Sequence, residues 1–521
     1  MTRSLICTAA GFILFCAGYL LINEQILVQS ILYRAAAGDN HSALVALLAM
    51  AAQAVALLTG LILLSNRLFW LLLILVGISA AANLIFSQIL DDIIDLAKFD
   101  WLLAEAGQAQ NAAAEFAMPA VIGLAKLLLA LGLFAASRRL FRIFLPRTAD
   151  LLSAHRSSIM AMLALILPSI LFDMGAPGPI AAERNIYNFA FEKLTLPPPP
   201  PRRAVNMAAP NIDRSIDKIL WVVDESVSYD AFAKLLAAEL LPLGPTDFGK
   251  AAAMANCSAP AHVALRSGVD VLNVNAHTDL RTTPSIWGYA RKAGYKTILI
   301  DGQVSGPPQN LLLPPEAARI DEIHPAASGM QTDLQLAKEL NSRLKAGGRK
   351  FIYAVLRGVH FQYSDHYPAD FLPADALLSQ RYEAAIAYSK KDFFNTLLAG
   401  LDREKVAIIY TSDHGQNVKK DVLPHCSPVP EKSEFAVPLL AFLPRAYADR
   451  YPETGSSDTS ASQIFPSTLE WMGYDRDTVT GKYDNTLDQS TKKFVWFGRS
   501  VIPLRAGDQI KVRTSNISPA G

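Results

Sequence analysis

The chain has 521 residues, with 48 Lys and Arg against 47 Asp and Glu and a formal net charge of +1. That length implies more than one folding unit, and the balanced charge leaves no electrostatic footprint for nucleic acid as a partner. Hydrophobic residues make up 51% and charged residues 18%, which excludes a wholly soluble protein and predicts membrane segments.

Five apolar runs come first, at 5–22, 43–64, 68–90, 116–136 and 159–172. Most approach the ~20 residues that a helix needs to cross a hydrocarbon core, and the last is the shortest. The first run is too long, and too many others follow it, for a cleaved signal peptide. Ser65-Asn66-Arg67 makes one basic turn, and Arg138, Arg139, Arg142 and Arg147 make a stronger basic loop. Both fall on the cytoplasmic side if the N-terminus does. Asp91, Asp92, Asp95, Asp100 and Glu105 then fall on the opposite side, with everything after the fifth run. The second half is therefore expected outside the cytoplasm, which in a cell with two membranes means the periplasm.

Between residues 91 and 116, Ile94, Leu96, Phe99, Trp101 and Leu102 alternate with acids. An interfacial or re-entrant helix that presents a lipid fits this pattern, and so does a plain connecting loop. Further on, residues 197–201 are all proline, followed by Arg202 and Arg203; polyproline is stiff and extended and works as a spacer. The expected organisation is a transmembrane domain over 1–175, a linker over 176–212 with room for an interfacial helix, and an exported domain over 213–521.

The exported half alternates short apolar runs, at 219–223, 297–300, 351–356, 406–411 and 439–443, with helical stretches. One helix opens at Thr283-Pro284 and closes at Gly294, with proline near its first position and glycine past its last. Another spans about 376–401. This pattern predicts an α/β sandwich with a mostly parallel sheet.

Open α/β sheets bind ligands beyond the carboxyl ends of their strands. Here those ends lead into Asp224-Glu225, Asp301, Arg357 with His360, and Ser412-Asp413-His414-Gly415. Separate segments can thus deliver carboxylates and imidazoles to one place. Such a donor set suits a divalent transition metal such as zinc. Singly, each piece has a plainer reading as a cap, a turn or a structural histidine. Four cysteines are present, and no C-x-x-C pair exists, which argues against a zinc ribbon or a thioredoxin-like motif. Cys257 and Cys426 are either joined or two separate thiols; the residues leave both open.

The segment Ser258-Ala259-Pro260-Ala261-His262-Val263-Ala264-Leu265-Arg266-Ser267-Gly268 resembles the sulfatase signature C/S-x-P-x-R-x-x-L-x-T/S-G, with Ser258 at the nucleophile position. Thr411-Ser412-Asp413-His414-Gly415 resembles the T-S-D-H-G metal motif of the phosphoethanolamine transferases. Gly358-Val359-His360 with Tyr367-Pro368, His425 with Pro430-Glu431 and Val437-Pro438, and Val222-Val223-Asp224-Glu225 are similar to further segments of that family. Five spans before an exported domain also match its lipid A members. The resemblance implies an alkaline phosphatase/sulfatase-like fold and a zinc site, of one or two ions, made by Glu225, Ser258, Asp413 and His414. It further implies Ser258 as a nucleophile forming a phospho-serine, and His360 and His425 as catalytic, phosphate-binding groups. Arg357 beside them is expected to bind substrate. The implied donor is phosphatidylethanolamine, the acceptor an envelope glycolipid such as lipid A, and the setting a bacterial inner membrane with a periplasmic catalytic domain.

Several positions depart from the family. Serine stands for the transferases' threonine, Gln416 follows the D-H-G where they carry glutamate, and at most one exported disulfide is available. His262 replaces the sulfatase arginine that supports the formylglycine aldehyde, and Cys257 sits one residue early for conversion to it. Asp413-His414, in place of the sulfatases' Asp-Asn, favours zinc over calcium. The rival expectations are a membrane-bound sulfatase or phosphodiesterase, a phosphoglycerol transferase, and a non-enzymatic sensor or scaffold.

Overall fold

The computed structural model describes residues 2–32, 35, 40–90, 92–104, 116–144, 179–303, 310–326, 329–360, 363–373, 375–419, 424–427, 429–451, 458–505 and 507–521. The chain divides into two compact units, Met1–Asp100 with Ala112–Leu196 and Trp101–Asn111 with Pro197–Gly521. The segment 176–212, expected as a linker, is thus shared between them at Leu196 and Pro197.

Among the described residues of the first unit, four helices are long and apolar enough to cross a membrane: Ile6–Leu32, Asn40–Leu63, Asn66–Leu90 and Ala117–Ile143. They correspond to the first four runs of the sequence. The fifth expected span, 159–172, lies outside the described residues. The helices pack around Phe15, Tyr19, Leu57, Leu61, Leu73, Ala80 and Phe134. Their outward faces carry Leu47, Val55, Leu71, Ile74, Ile78 and Leu128, all exposed, as expected of helices solvated by lipid. The segment that the sequence left open between helix and loop contains a helix at Leu96–Ala104, and Lys98 pairs with Asp92 and Asp95 at 2.9 and 3.2 Å.

A strap at residues 179–184 re-enters this unit and is held by polar side chains of the spanning helices. Asn23 Oδ1 accepts from the Ala182 amide at 2.7 Å, and Asn23 Nδ2 donates to Glu183 at 3.1 Å. Ser79 Oγ and Asn83 Nδ2 donate to the Ala182 carbonyl at 2.6 and 3.3 Å. The strap leads into a helix at Asn185–Thr195.

The second unit is built on an eight-stranded sheet in the order β4-β3-β5-β1-β6-β7-β2-β8. Its strands are β1 (Lys218–Asp224), β2 (Thr246–Ala252), β3 (Lys296–Asp301), β4 (Glu322–Pro325), β5 (Lys350–Val355), β6 (Val406–Ser412), β7 (Ala436–Phe442) and β8 (Thr459–Ser460). β1 is central, paired in parallel with β5 and β6. Both its faces are covered, so it reads as an unbroken apolar run and not as an alternating one. Ile219, Trp221 and Val223 enter one core with Trp287, Phe351 and Tyr353. Leu220 and Val222 enter the other with Phe232, Ile352 and Tyr410. That alternation is the two-residue period of a strand.

The sheet is mostly parallel, as the sequence predicts, with β7 as the exception: it runs antiparallel to both β6 and β2. Pro438 of β7 lies opposite Lys250, next to an irregularity between Asp247 and Lys250, consistent with proline's inability to donate to the ladder. β2, with the sequence Thr246-Asp247-Phe248-Gly249-Lys250-Ala251-Ala252, has no β-branched run to announce it.

Candidate active site

The carboxyl ends of β1 and β6 lie side by side, with Asp224 opposite Ser412. Beyond them the chain is stitched by local hydrogen bonds. The Asp413 amide donates to the Asp224 carbonyl at 3.0 Å, and the Ser226 and His414 amides donate to Asp413 Oδ1 at 3.1 and 2.7 Å. Ser412 Oγ accepts from the Val227 amide at 2.9 Å. Oδ1 of Asp413 is thereby occupied by main-chain donors, and Oδ2 is buried without a hydrogen-bond partner.

Two glycines allow this crowding. A Cβ on Gly358, at φ +60°, would lie 2.5 Å from Cβ of Glu225, and one on Gly415 would lie 2.0 Å from the Ser433 carbonyl. Only glycine permits either approach. The Val359 amide then reaches the Glu225 carbonyl at 3.1 Å and the Gly415 amide reaches the Glu434 carbonyl at 2.9 Å.

Ser258 is the first residue of the helix Ser258–Arg266, a position that faces developing negative charge favourably. Its Oγ lies 3.2 Å from both Glu225 Oε1 and His414 Nε2. His414 Nε2 is in turn 3.5 Å from Glu225 Oε1 and 3.5 Å from Asp413 Oδ2. His414 Nδ1 donates to the Gly415 carbonyl at 2.7 Å, so the ring presents an unprotonated Nε2 to the cluster when neutral. Glu225, Asp413 and His414 form a buried group able to hold a metal ion, and the structure brings Ser258 to the same point.

The electrostatics point the same way. Burial alone would raise Glu225, but the hydrogen bond and charge of His414 hold its carboxyl well below the usual range. Burial, and then the charge of Glu225, push Asp413 up to about 8. Burial opposes protonation of His414, yet the carboxylates of Asp413 and Glu225 outweigh it and raise the ring to about 9. Two buried carboxylates so close together hold an extra proton for want of a stronger positive charge. The spacing fits a small cation too: zinc bonds of roughly 2.0–2.1 Å in a tetrahedron put neighbouring donors about 3.4 Å apart, close to the 3.2 and 3.5 Å separations seen here.

His360 and His425 are gathered beside this cluster. The His425 ring stacks on His414 with centroids 4.5 Å apart, and His360 meets His425 at 5.7 Å. Burial, then the charges of His414 and His360, hold His425 well below the usual imidazole range, so it is neutral. Its Nδ1 is 3.1 Å from Gln416 Oε1, and Gln416 Nε2 donates to Tyr363 at 2.7 Å. Nδ1–H must therefore donate, which leaves Nε2 as an acceptor. Gln416 at the family's glutamate position thus orients a histidine. Arg357 follows β5 as expected, and its guanidinium donates to the Gly329 and Asp365 carbonyls at 3.3 Å.

Cys257 and Cys426 are joined, which closes the alternative left open by the sequence. The bond links the residue before Ser258 to the residue after His425, and the Cys426 amide donates to the Asn256 carbonyl at 2.7 Å. Further partners had no signal in the sequence. Gln303, past the end of β3, donates to Glu225 Oε2 at 2.6 Å, and Ser226 Oγ donates to Glu225 Oε1 at 2.7 Å. Lys390 bridges Asp224 and Asp333 at 2.9 and 2.7 Å. Only the position of Gln303 at a strand end could have hinted at its place.

Residues 250–474 match the Sulfatase family model. No protein of curated function matches the chain in sequence. Among solved structures, the integral membrane lipooligosaccharide phosphoethanolamine transferase A (EptA) of Neisseria meningitidis is similar at 14% identity and a TM-score of 0.53, over 91% of this chain and 96% of that one. The zinc complex of the C-terminal periplasmic domain of EptC from Escherichia coli is similar at 16% identity and a TM-score of 0.46, over 59% and 96%. The lipoteichoic acid synthase LtaP of Listeria monocytogenes is similar at 13% identity and a TM-score of 0.39, over 56% and 80%. The likeness to EptA establishes a common fold, and the other two are too distant to support more. Residues 250–474 thus carry a sulfatase-family domain, built around the helix Ser258–Arg266 and the joined ends of β1 and β6, in a chain that shares the fold of EptA.

Proposed function

We propose that the protein transfers phosphoethanolamine from a membrane phospholipid to an envelope glycolipid, with Ser258 as nucleophile and zinc held by Glu225, Ser258, Asp413 and His414. The observation that carries this reading is the placement of Ser258 Oγ 3.2 Å from two members of a buried acid–imidazole cluster, in a chain that shares the EptA fold over 91% of its length. Zinc, when bound there, favours the serine alkoxide and stabilises charge on a phosphoryl oxygen.

The chain's own residues supply the rest. Glu225, held by Ser226 and Gln303, and His414, held by Gly415, keep the serine oxygen in place. Ser258 attacks the phosphodiester in line, the bond to the diacylglycerol oxygen breaks, and a phospho-serine forms. His360 gives the departing oxygen its proton. His425, neutral and with Nε2 unprotonated, accepts the proton of the acceptor hydroxyl as that oxygen attacks and frees Ser258. Positioned acid–base groups of this kind contribute roughly 10²–10⁴-fold.

The two-unit organisation supports transfer over hydrolysis, because a donor lipid need not leave the bilayer when the catalytic domain is anchored beside it. The loop charges support a periplasmic catalytic domain and helices in the inner membrane. The helix Asn185–Thr195 is proposed to face lipid: Tyr187, Phe191 and Leu194 are exposed along one stripe of it, and the Tyr187 hydroxyl donates to the Leu75 carbonyl of the Asn66–Leu90 span at 2.7 Å.

The test is a mass spectrum of the Ser258 peptide after incubating the purified protein with zinc and phosphatidylethanolamine. A phosphoethanolamine adduct on Ser258 is expected. Unmodified serine in zinc-loaded protein, with phosphatidylglycerol giving the adduct instead, would make this a phosphoglycerol transferase. No adduct from either lipid, with turnover of a soluble ester, would make it a hydrolase.

A further inference from the structure

Beside the cluster, two fully buried polar atoms face each other without a hydrogen-bond partner: Nε2 of His262 and Oδ2 of Asp413. They lie 4.0 Å apart. His262 sits on the Ser258–Arg266 helix, one turn beyond Ser258, and is completely buried. Its other nitrogen, Nδ1, lies 2.7 Å from the hydroxyl of Tyr353 on β5. Tyr353 is also fully buried, packed against Trp221 and Trp287.

The proton positions follow from satisfying both groups. If the Tyr353 hydroxyl donates to Nδ1, the ring carries its proton on Nε2 and points an N–H at Asp413 Oδ2. If the ring donated instead, the tyrosine proton would be left without an acceptor. An Nε2 lone pair would also face a carboxylate lone pair. A buried polar atom left unpaired costs about 1–3 kcal/mol, so the first arrangement is favoured at both ends. Asp413 Oδ1 is already taken by the Ser226 and His414 amides, which leaves Oδ2 to serve the metal and His262 together.

We propose that His262 is a positioning residue for the metal ligand Asp413: its Nε2–H, fixed by the Tyr353 hydroxyl, orients the carboxylate from behind. The inference rests on the zinc reading above. The residue stands where the sulfatase signature has arginine, so a neutral donor replaces a cationic one at a site that has to accept a dication. Carboxylate ligands are themselves held by outer hydrogen bonds, and loss of such a partner typically lowers metal affinity roughly 10–100-fold.

The test measures zinc affinity of the full-length protein by chelator competition, with thermal unfolding of the zinc-free form as a control for folding. His262→Leu is expected to weaken zinc about 10–100-fold. His262→Gln, whose amide reaches the place of Nε2, is expected to recover most of that loss. His262→Asn, which stops short of it, is not, and this polar pair carries the comparison if His262→Leu does not fold. Tyr353→Phe is expected to weaken zinc several-fold by releasing the tautomer. The number of imidazoles on zinc, read by X-ray absorption, is expected to be the same in wild type and His262→Gln. Wild-type affinity in His262→Leu, or equal affinity in the Gln and Asn variants, would overturn the proposal. Loss of one imidazole in His262→Gln would also overturn it, by making His262 a ligand. Wild-type protein that takes up no zinc would instead sink the parent reading, whereas zinc that depends on Asp413 but ignores His262 would sink this inference alone.

Discussion

Both units bury polar side chains, but they do so with different chemistry. In the catalytic unit the buried groups are full ions in compensating sets. Lys390 lies between Asp224 and Asp333, and Glu316 binds both Arg202 and Arg266. In the helical unit the buried groups are mainly amides and hydroxyls, Asn23, Ser79 and Asn83, that hold the main chain of the 179–184 strap. The difference lies in what each chain would otherwise contact. An unfolded soluble domain solvates its ions in water, so an ion in its core requires a matched partner. A helix in lipid has no water to lose, and its polar groups find some partner in any state. Polar contacts should therefore weigh heavily in one unit and lightly in the other.

The largest effect is expected where the catalytic unit's buried charge is uncompensated by the chain. Asp413→Asn removes a donor from the cluster and halves its carboxylate charge. Turnover is expected to fall at least ~10³-fold, since a catalytic metal contributes several kcal/mol and each 1.36 kcal/mol is tenfold. Stripping with a chelator should give the wild type the same loss, reversed by zinc. Steady-state transfer assays on both proteins check this. Activity that survives both treatments would break the claim that the cluster exists to hold a cation.

Next comes the compensated charge. Lys390→Met leaves Asp224 and Asp333 buried and facing each other. Removing one partner of a buried ion pair costs about 3–5 kcal/mol, and thermal unfolding of the full-length variant should show it. Asp224 also adjoins Glu225 and receives the Asp413 amide, so zinc affinity should fall together with stability. A variant as stable as wild type would show that this triad does not hold the strand ends.

How far the sequence foretold these features depends on how local each is. Asp224-Glu225 and Asp413-His414 were legible because a strand's end is marked in one stretch of chain, and the sheet then brings those ends together. The apolar runs of β1 and β6 and the first four spans were legible for the same reason. Lys390, Gln303 and Tyr353 were not: each meets its partner across many residues, and nothing in a helix or strand pattern marks which polar residue will be buried. The antiparallel β7 was hidden because an apolar run does not disclose its direction. The link between Cys257 and Cys426 was undecided because two cysteines 169 residues apart carry no spacing rule.

That disulfide gives the third prediction. It fastens the helix Ser258–Arg266 to the segment that carries His425. Cys426→Ser is expected to lower stability by about 2–4 kcal/mol. The loss should be felt more at His425 than at the proposed metal cluster, whose donors, Ser258 apart, directly follow β1 and β6. Transfer should drop while zinc affinity measured by chelator competition stays within a few-fold of wild type. If zinc affinity collapsed as far as turnover, the disulfide would be holding the cluster itself, through Ser258, and not the histidine.

The smallest effect tests the helical unit. Asn23→Leu removes two hydrogen bonds to the strap, one to Ala182 and one to Glu183. By soluble-protein reckoning, an unpaired Glu183 carboxyl in a buried setting would cost as much as the Lys390 change. In lipid, interhelical hydrogen bonds average about 0.6 kcal/mol each, so the expected total is near 1 kcal/mol, read as a shift of a few degrees in thermal unfolding in nanodiscs. Turnover should be nearly unchanged. A loss that matched Lys390→Met would mean that water reaches the strap. The polar groups around Glu183 would then have to be treated as a solvated site, since a carboxylate in contact with water sets the same demand for a partner in either unit.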